Sequence, residues 1–270
     1  MDYYHISAED LGDGAKIPLV FLGDSKAVFT KLAQEMVDCI EANNAQGKRT
    51  VFICPVGPVG QYPIFVDLVN EKGLSLKDCW FINMDEYLTD DDQWVDASHP
   101  LSFRGFMDRV VYSQIKPELV MPAEQRVFPD PADPGHVQQV IDELGGVDIA
   151  FGGIGITGHL AFNEPQEELG VAEFAALETR ALDIRPETRA TNCGDLGGAL
   201  EDFPRRAATI GMRQILGARK VRLGVFRDWH RGVVRRAAYG EVTAAFPATL
   251  LQNHPDAAVY VNDVAREQAY

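Results

Sequence analysis

The chain is poor in cysteine, in basic residues and in long apolar runs, and each shortage excludes a class of protein. Its four cysteines, Cys39, Cys54, Cys79 and Cys193, are far apart and form no C-x-x-C pair. That spacing argues against a zinc site and a disulfide framework, and suits reduced thiols packed in a core. Lys and Arg number 25 against 40 Asp and Glu, a formal charge of -15. Such an excess repels phosphodiester backbones and anionic headgroups, so neither nucleic acid nor a membrane surface is an expected partner. No run approaches the ~18 apolar residues of a membrane span, and the N-terminal segment lacks the basic and apolar regions of a secretory leader. A cytoplasmic location is the expectation.

What remains is the composition of a folded enzyme, with 46% hydrophobic and 24% charged residues over 270 positions. A single α/β domain over residues 1–270 accommodates that length. Ser25 can cap a helix whose apolar positions Val28, Phe29, Leu32, Ala33, Met36, Val37 and Ile40 follow three-and-four spacing. The β-branched run TVFIC at 50–54 then reads as a buried strand stopped by Pro55 and Gly57. Helices are predicted over 63–70, 137–144 and roughly 232–239, and strands over 79–83, 147–152, 221–226 and 257–261. Their alternation predicts a parallel, doubly wound Rossmann-like sheet with helices on both faces. Ligands of such sheets bind beyond the carboxyl ends of the strands, here the loops 55–62, 84–92 and 153–165.

The last of these loops belongs to the segment GGIGITGHLAFNEP at 152–165. Its Gly153, Gly155 and Gly158 match the G-x-G-x-x-G spacing of dinucleotide sites. A dinucleotide fold would continue as a helix, however, and Pro165 stands only seven residues after Gly158. No cofactor is therefore predicted, and the cysteine spacing predicts no metal. Histidine as a side chain can both give and take a proton near neutral pH, and the carboxylate of Glu164 can fix the tautomer of His159. The second strand exit carries Asp85 and Glu86 side by side, either a base at a sheet edge or a solvated surface pair.

At these residues the chain resembles the glucosamine-6-phosphate deaminase/isomerase family, through NMDEYL at 83–88 and GGIGITGHLAFNEP. SHPLSF at 98–103, ETRATN at 187–192 and TLLQNHP at 249–255 keep the family's order. The resemblance implies ring opening and an aldose–ketose proton shuttle between C2 and C1, followed in the deaminases by loss of ammonia. Asp85 matches the family's base, His159 the residue that opens the ring, and Glu164 its carboxylate partner. Substrate contacts are expected from Gly57, Gly60, Glu86, Gly153, Thr157, Arg189 and His230. The partner is then a small sugar or sugar phosphate. Homo-oligomerisation is left open.

Three positions depart from the pattern. Thr157 stands where the family commonly has Asp. The loop PVGPVGQYP at 55–63 replaces the glycines and hydroxyl residues of the family's phosphate loop, and Pro58 removes a backbone N–H. Counting back from Gly240 puts His230 where a phosphate-binding lysine is usual. Arg104, Arg213, Arg227 and Arg231 lie at or near the motifs, which suggests a rewired anion site or ordinary surface charge. The resemblance therefore implies a cofactor-independent isomerase or deaminase of an amino sugar or amino-sugar phosphate, and the departures leave the group at C6 open. The alternatives are a lactonase of the related 6-phosphogluconolactonase type and a sugar-phosphate-binding protein without turnover.

Overall fold

A computed structural model describes residues 2–270; Met1, with which the expected domain begins, lies outside the described residues. Among the described residues ten strands form two sheets. The larger contains β1 (Leu19–Phe21), β2 (Thr50–Cys54), β3 (Cys79–Asn83), β5 (Arg126–Val127), β6 (Ile149–Gly152), β9 (Lys220–Val225) and β10 (Ala257–Val261). Its order is β1-β10-β9-β6-β2-β3-β5, and every recorded pairing is parallel. The smaller sheet is antiparallel, in the order β4 (Asp85–Leu88), β8 (Arg206–Thr209), β7 (Arg180–Asp183).

The helices are α1 (Ser25–Asn44), α2 (Gln61–Lys72), α3 (Phe103–Met107), α4 (His136–Leu144), α5 (Val171–Ala175), α6 (Pro186–Asn192), α7 (Met212–Leu216), α8 (His230–Tyr239) and α9 (Asp263–Arg266). In α1 the predicted apolar stripe is buried except for Phe29, which is half-buried, and the side chain of Asp24, one residue before Ser25, accepts the cap bond from Ala27 N–H at 2.7 Å. The large sheet is covered on both faces. Val51 and Ile53 of β2 enter one apolar cluster while Phe52 and Cys54 enter the other, as the two-residue period of a strand requires.

Strands β2, β3 and β10 fall on the predicted residues, and helix α2 extends the predicted 63–70 at both ends. The predicted loop at 84–92 begins instead as a strand, because DEYL pairs with β8 in the small sheet and all four residues are buried. Two consecutive carboxylates conceal a strand from any reading by hydropathy. Among the described residues no helix is long and apolar enough to cross a membrane.

From β2 the chain proceeds outward to β3 and β5, while β6 starts the run to β9 and β10 on the other side. The direction of winding thus reverses between β2 and β6. Loops leaving the two strands there part to opposite faces and open a crevice at their carboxyl ends.

Candidate active site

That crevice is a cavity of about 510 Å³. The loop after β2 supplies Pro55 to Gly60, the loop after β6 supplies Gly153 to Gly155 with His159, and β4 contributes Asp85. Phe226 to His230, less Asp228, follow β9 into the same space. Of the predicted residues, Gly57, Gly60, Asp85, Gly153, His159 and His230 line it.

Asp85 starts β4, paired with Thr209 across the small sheet, and is 7% exposed. Burial, reinforced by the neighbouring charge of Glu86, pushes its carboxyl well above the usual aspartate range. A carboxyl so placed is a stronger base than an exposed one once it has lost its proton.

His159 depends on the tight loop beneath it. A Cβ built on Gly155 would lie 2.0 Å from the imidazole Nε2, so only glycine lets the ring lie over this backbone. Ala161, also in the lining, has φ +55°, which a non-glycine residue adopts at a cost. The loop is tied to the small sheet by Phe162 N–H donating to Thr209 Oγ1 at 3.1 Å. Asn163 Nδ2 donates to the Ile210 carbonyl at 3.0 Å.

Behind the imidazole stand Thr157 and Glu164, neither of which lines the cavity. Nδ1 of His159 is 2.9 Å from Thr157 Oγ1 and 3.2 Å from Glu164 Oε2. The Thr157 hydroxyl donates its hydrogen to Glu164 at 2.8 Å, so its lone pair is what remains for the ring. Nδ1 therefore carries the hydrogen, and Nε2 over Gly155 keeps the free electron pair. Burial pushes the Glu164 carboxyl up, but hydrogen bonds and charge from His159, with bonds from Thr188 and Thr157, overcome it and hold the pKa below the usual value. The substrate contact expected of Thr157 is corrected accordingly: it bridges histidine and glutamate from behind.

Two more expected contacts lie elsewhere. Glu86 is fully buried and accepts from Tyr87 N, Ser102 Oγ, Phe103 N, Arg104 N and Arg104 Nε. The four donors from Ser102, Phe103 and Arg104 hold the start of α3 against β4, so this carboxylate fastens the wall that carries Ser102 and Phe103. Arg189 gives its guanidinium to the carbonyls of Pro204, Leu200 and Phe203 at 2.9 to 3.2 Å. From the same helix Asn192 reaches the cavity and Thr188 approaches His159 Nδ1 at 3.4 Å. Positions 188 and 192, four apart, share one face of the helix, a spacing legible in ETRATN itself.

His230 lines the cavity as a neutral ring. Its Nδ1 accepts from Phe226 N and Arg227 N, and its Nε2 donates to the Ile154 carbonyl at 3.0 Å. Burial and then the charge of Arg227, opposed by the Ile154 carbonyl, push its pKa down to about 3. It cannot stand in for a cationic lysine. Of the four arginines near the motifs only Arg227 lines the cavity; Arg104 pairs with Glu86, Arg213 with Glu178 and Arg231 with Glu267. No convergent anion site of those four exists. Phe29, Phe226 and Trp229 also line the cavity, which no sequence motif pointed to. Among the described residues, no three His, Cys, Asp or Glu side chains are grouped as metal ligands.

The fold and the winding reversal define a Rossmann-like α/β protein. A solved monomeric glucosamine-6-phosphate deaminase superposes with a TM-score of 0.80 at 22% identity, over 92% of this chain and 98% of that one. A 6-phosphogluconolactonase from Leishmania guyanensis shares the fold at 0.65 and 14% identity, over 92% of this chain and 97% of that one. No family model matches the sequence. A glucosamine-6-phosphate deaminase of Rhodopirellula baltica is 32% identical over 214 residues, 77% of this chain and 79% of that protein. That of Staphylococcus saprophyticus is 29% identical over 210 residues, 77% and 82% of the respective chains. The chain belongs to the glucosamine-6-phosphate deaminase family, and is an enzyme of the deaminase/isomerase class.

Proposed function

We propose that the protein is a cofactor-independent aldose–ketose isomerase and deaminase of an amino sugar or its phosphate, working as one domain. The observation that carries this is the convergence of Asp85 from the small sheet and His159 from the large one on a single cavity. Nε2 of His159 takes the proton of the anomeric hydroxyl and returns one to the ring oxygen, which opens the pyranose. The bridge through Thr157 to Glu164 stabilises the imidazolium formed in between. Asp85 then takes the proton from C2 and delivers it to C1 while the substrate's ammonium group gives a proton to O1, so that the C1=O double bond is replaced by a C2=N iminium. Water adds at C2 and ammonia leaves, giving the ketose.

Incubation in deuterated water with glucosamine and with glucosamine 6-phosphate tests this reading. The expected result is C2 deuterium exchange with ammonia release on at least one of them. Exchange without ammonia restricts the activity to isomerisation, and neither signal on any aldose, combined with tight binding, sinks it. A second reading, lactone hydrolysis, is supported by the likeness of fold to 6-phosphogluconolactonases. It requires acid production from 6-phosphogluconolactone without C2 exchange on any amino sugar.

A further inference from the structure

Phe29 and Phe226 meet edge to face at 4.9 Å between centroids and give the cavity an aromatic wall. Such a wall takes the C–H surface of a sugar but leaves its hydroxyls without partners. Besides its amino group and the carbons that exchange protons, an amino sugar brings secondary hydroxyls at C3 and C4. Each loses water on entering the cavity and needs a replacement bond.

Several polar side chains of the lining are already committed. The Ser102 hydroxyl donates to Glu86 and accepts from Gly105 N–H. His230 has both ring nitrogens engaged. Arg227 can only donate, and Asp85 and His159 serve the proton transfers. Asn192 differs from all of these. It is half-buried in the lining, and its carboxamide, with two donor hydrogens and an acceptor oxygen, has no hydrogen-bond partner among the described residues.

The helix that presents Asn192 is firmly held. Arg189 clamps α6 to the carbonyls of Leu200, Phe203 and Pro204 at 2.9 to 3.2 Å. Thr188, one turn before Asn192 on the same face, is buried with its Oγ1 3.4 Å from Nδ1 of His159, and its hydroxyl also bonds to Glu164. Asn192 therefore stands about 6 Å further along the helix axis from the residue that backs the histidine. That offset is comparable with the distance across a hexose from O1 to O4.

We infer that Asn192 reads the C3 and C4 hydroxyls of the sugar and is a specificity-determining residue of this enzyme. The inference rests on the isomerase/deaminase reading of the same site, which puts the anomeric end at His159. The carboxamide oxygen accepts from one hydroxyl and the NH2 donates to its neighbour. A sugar lacking either hydroxyl leaves one of these amide groups unpaired, which is how a polar site rejects a deoxy analogue. Because Thr188 and Asn192 ride on one face of one short helix, a sugar held by the amide also keeps Thr188 against His159.

Titration calorimetry with 2-amino-2-deoxyglucitol 6-phosphate, an open-chain amino alditol that cannot isomerise, and with its 3-deoxy and 4-deoxy counterparts tests the inference on wild type and Asn192→Ala. The wild type is expected to bind the full alditol about tenfold or more tighter than at least one deoxy compound. The variant should lose about tenfold on the full alditol and less than about threefold on that deoxy compound, whose missing hydroxyl is the partner. Its thermal midpoint should match the wild type, because the amide bonds nothing else in the protein. Equal loss on all three compounds, no loss on the full alditol, failure of the wild type to bind any of them, or a lowered midpoint overturns the inference. C2 exchange with glucosamine 6-phosphate, run in parallel, separates the two claims. Absence of exchange in the wild type, with the calorimetric pattern intact, removes the isomerase reading alone. Exchange in the wild type with an unchanged KM in the variant removes the role of Asn192 alone.

Discussion

The hydroxyl of Thr157 stands 2.9 Å from Nδ1 of His159 and spends its own hydrogen on Glu164. A carboxylate at position 157 would hold the imidazole by charge; the threonine holds it by relay. Its lone pair accepts the Nδ1 hydrogen and its proton binds the glutamate, so one small side chain sets the tautomer and connects the ring to a buried negative charge.

Thr157→Val keeps the shape and deletes the relay. Losing one hydrogen bond of this kind costs about 1 to 1.5 kcal/mol, which corresponds to a roughly tenfold fall in kcat. KM should hardly change, because Thr157 does not line the cavity. Thr157→Ser retains the hydroxyl and should recover most of the rate. Steady-state kinetics of the three proteins decide it, and a valine variant with unchanged kcat removes the relay from the mechanism.

Asp85→Asn should abolish C2 exchange while raising stability at alkaline pH. Burial, then the Glu86 charge, raises the folded-state pKa of Asp85 above its unfolded value. Folding therefore favours the protonated form. Below the unfolded pKa of about 3.9 the ionised form contributes no penalty. The penalty grows as pH rises and is complete above the folded pKa. Thermal melts should show the variant more stable than wild type at pH 8, with the difference vanishing near pH 3.5. An equal or lower melting temperature at pH 8 contradicts the assigned burial cost. The same shift places the acid limb of the wild-type kcat/KM profile above the ordinary aspartate range.

The large sheet was legible because its strands are β-branched and buried on both faces, so TVFIC at 50–54 and AAVYV at 257–261 announce themselves. The small sheet was not. DEYL opens with two carboxylates, and RAAT of β8 offers no alternation, so these strands exist only through tertiary burial against each other. His159 and Glu164 could be paired from one continuous motif. The aromatic wall could not, since Phe29 lies on α1 and Phe226 beyond β9, about two hundred positions apart in sequence. Glu86 misled for a related reason: whether a carboxylate faces a substrate or five donors behind it depends on which side of β4 it leaves, and only pairing with β8 decides that.

Glu86→Gln tests that placement. An amide keeps one acceptor oxygen but turns its NH2 toward donors that already point inward, so several of the five hydrogen bonds fail together. The expected loss of stability is about 2 to 4 kcal/mol, measured by urea denaturation. Removing the charge also relieves Asp85, so the acid limb of the rate profile should move to lower pH in whatever fraction remains folded. A variant as stable as wild type would show that α3 is held by other contacts.

Gly155→Ala separates the position of His159 from its chemistry. The added methyl would sit 2.0 Å from the imidazole Nε2 and Cε1, well inside any real contact, so the ring must swing off the loop. Gly155 also has its N–H bonded to the His159 carbonyl at 2.9 Å, which keeps the backbone turn in place while the side chain moves. A displacement of about 1 Å at a proton-transfer centre lowers the rate about a hundredfold. The thermal midpoint should fall only slightly, because the alanine needs no positive φ and the ring can rotate into the open cavity. Retention of full C2 exchange by this variant, with a crystal structure showing the ring unmoved, would remove Gly155 as the support of the histidine. Retention of exchange with a displaced ring would instead remove His159 from the proton transfers.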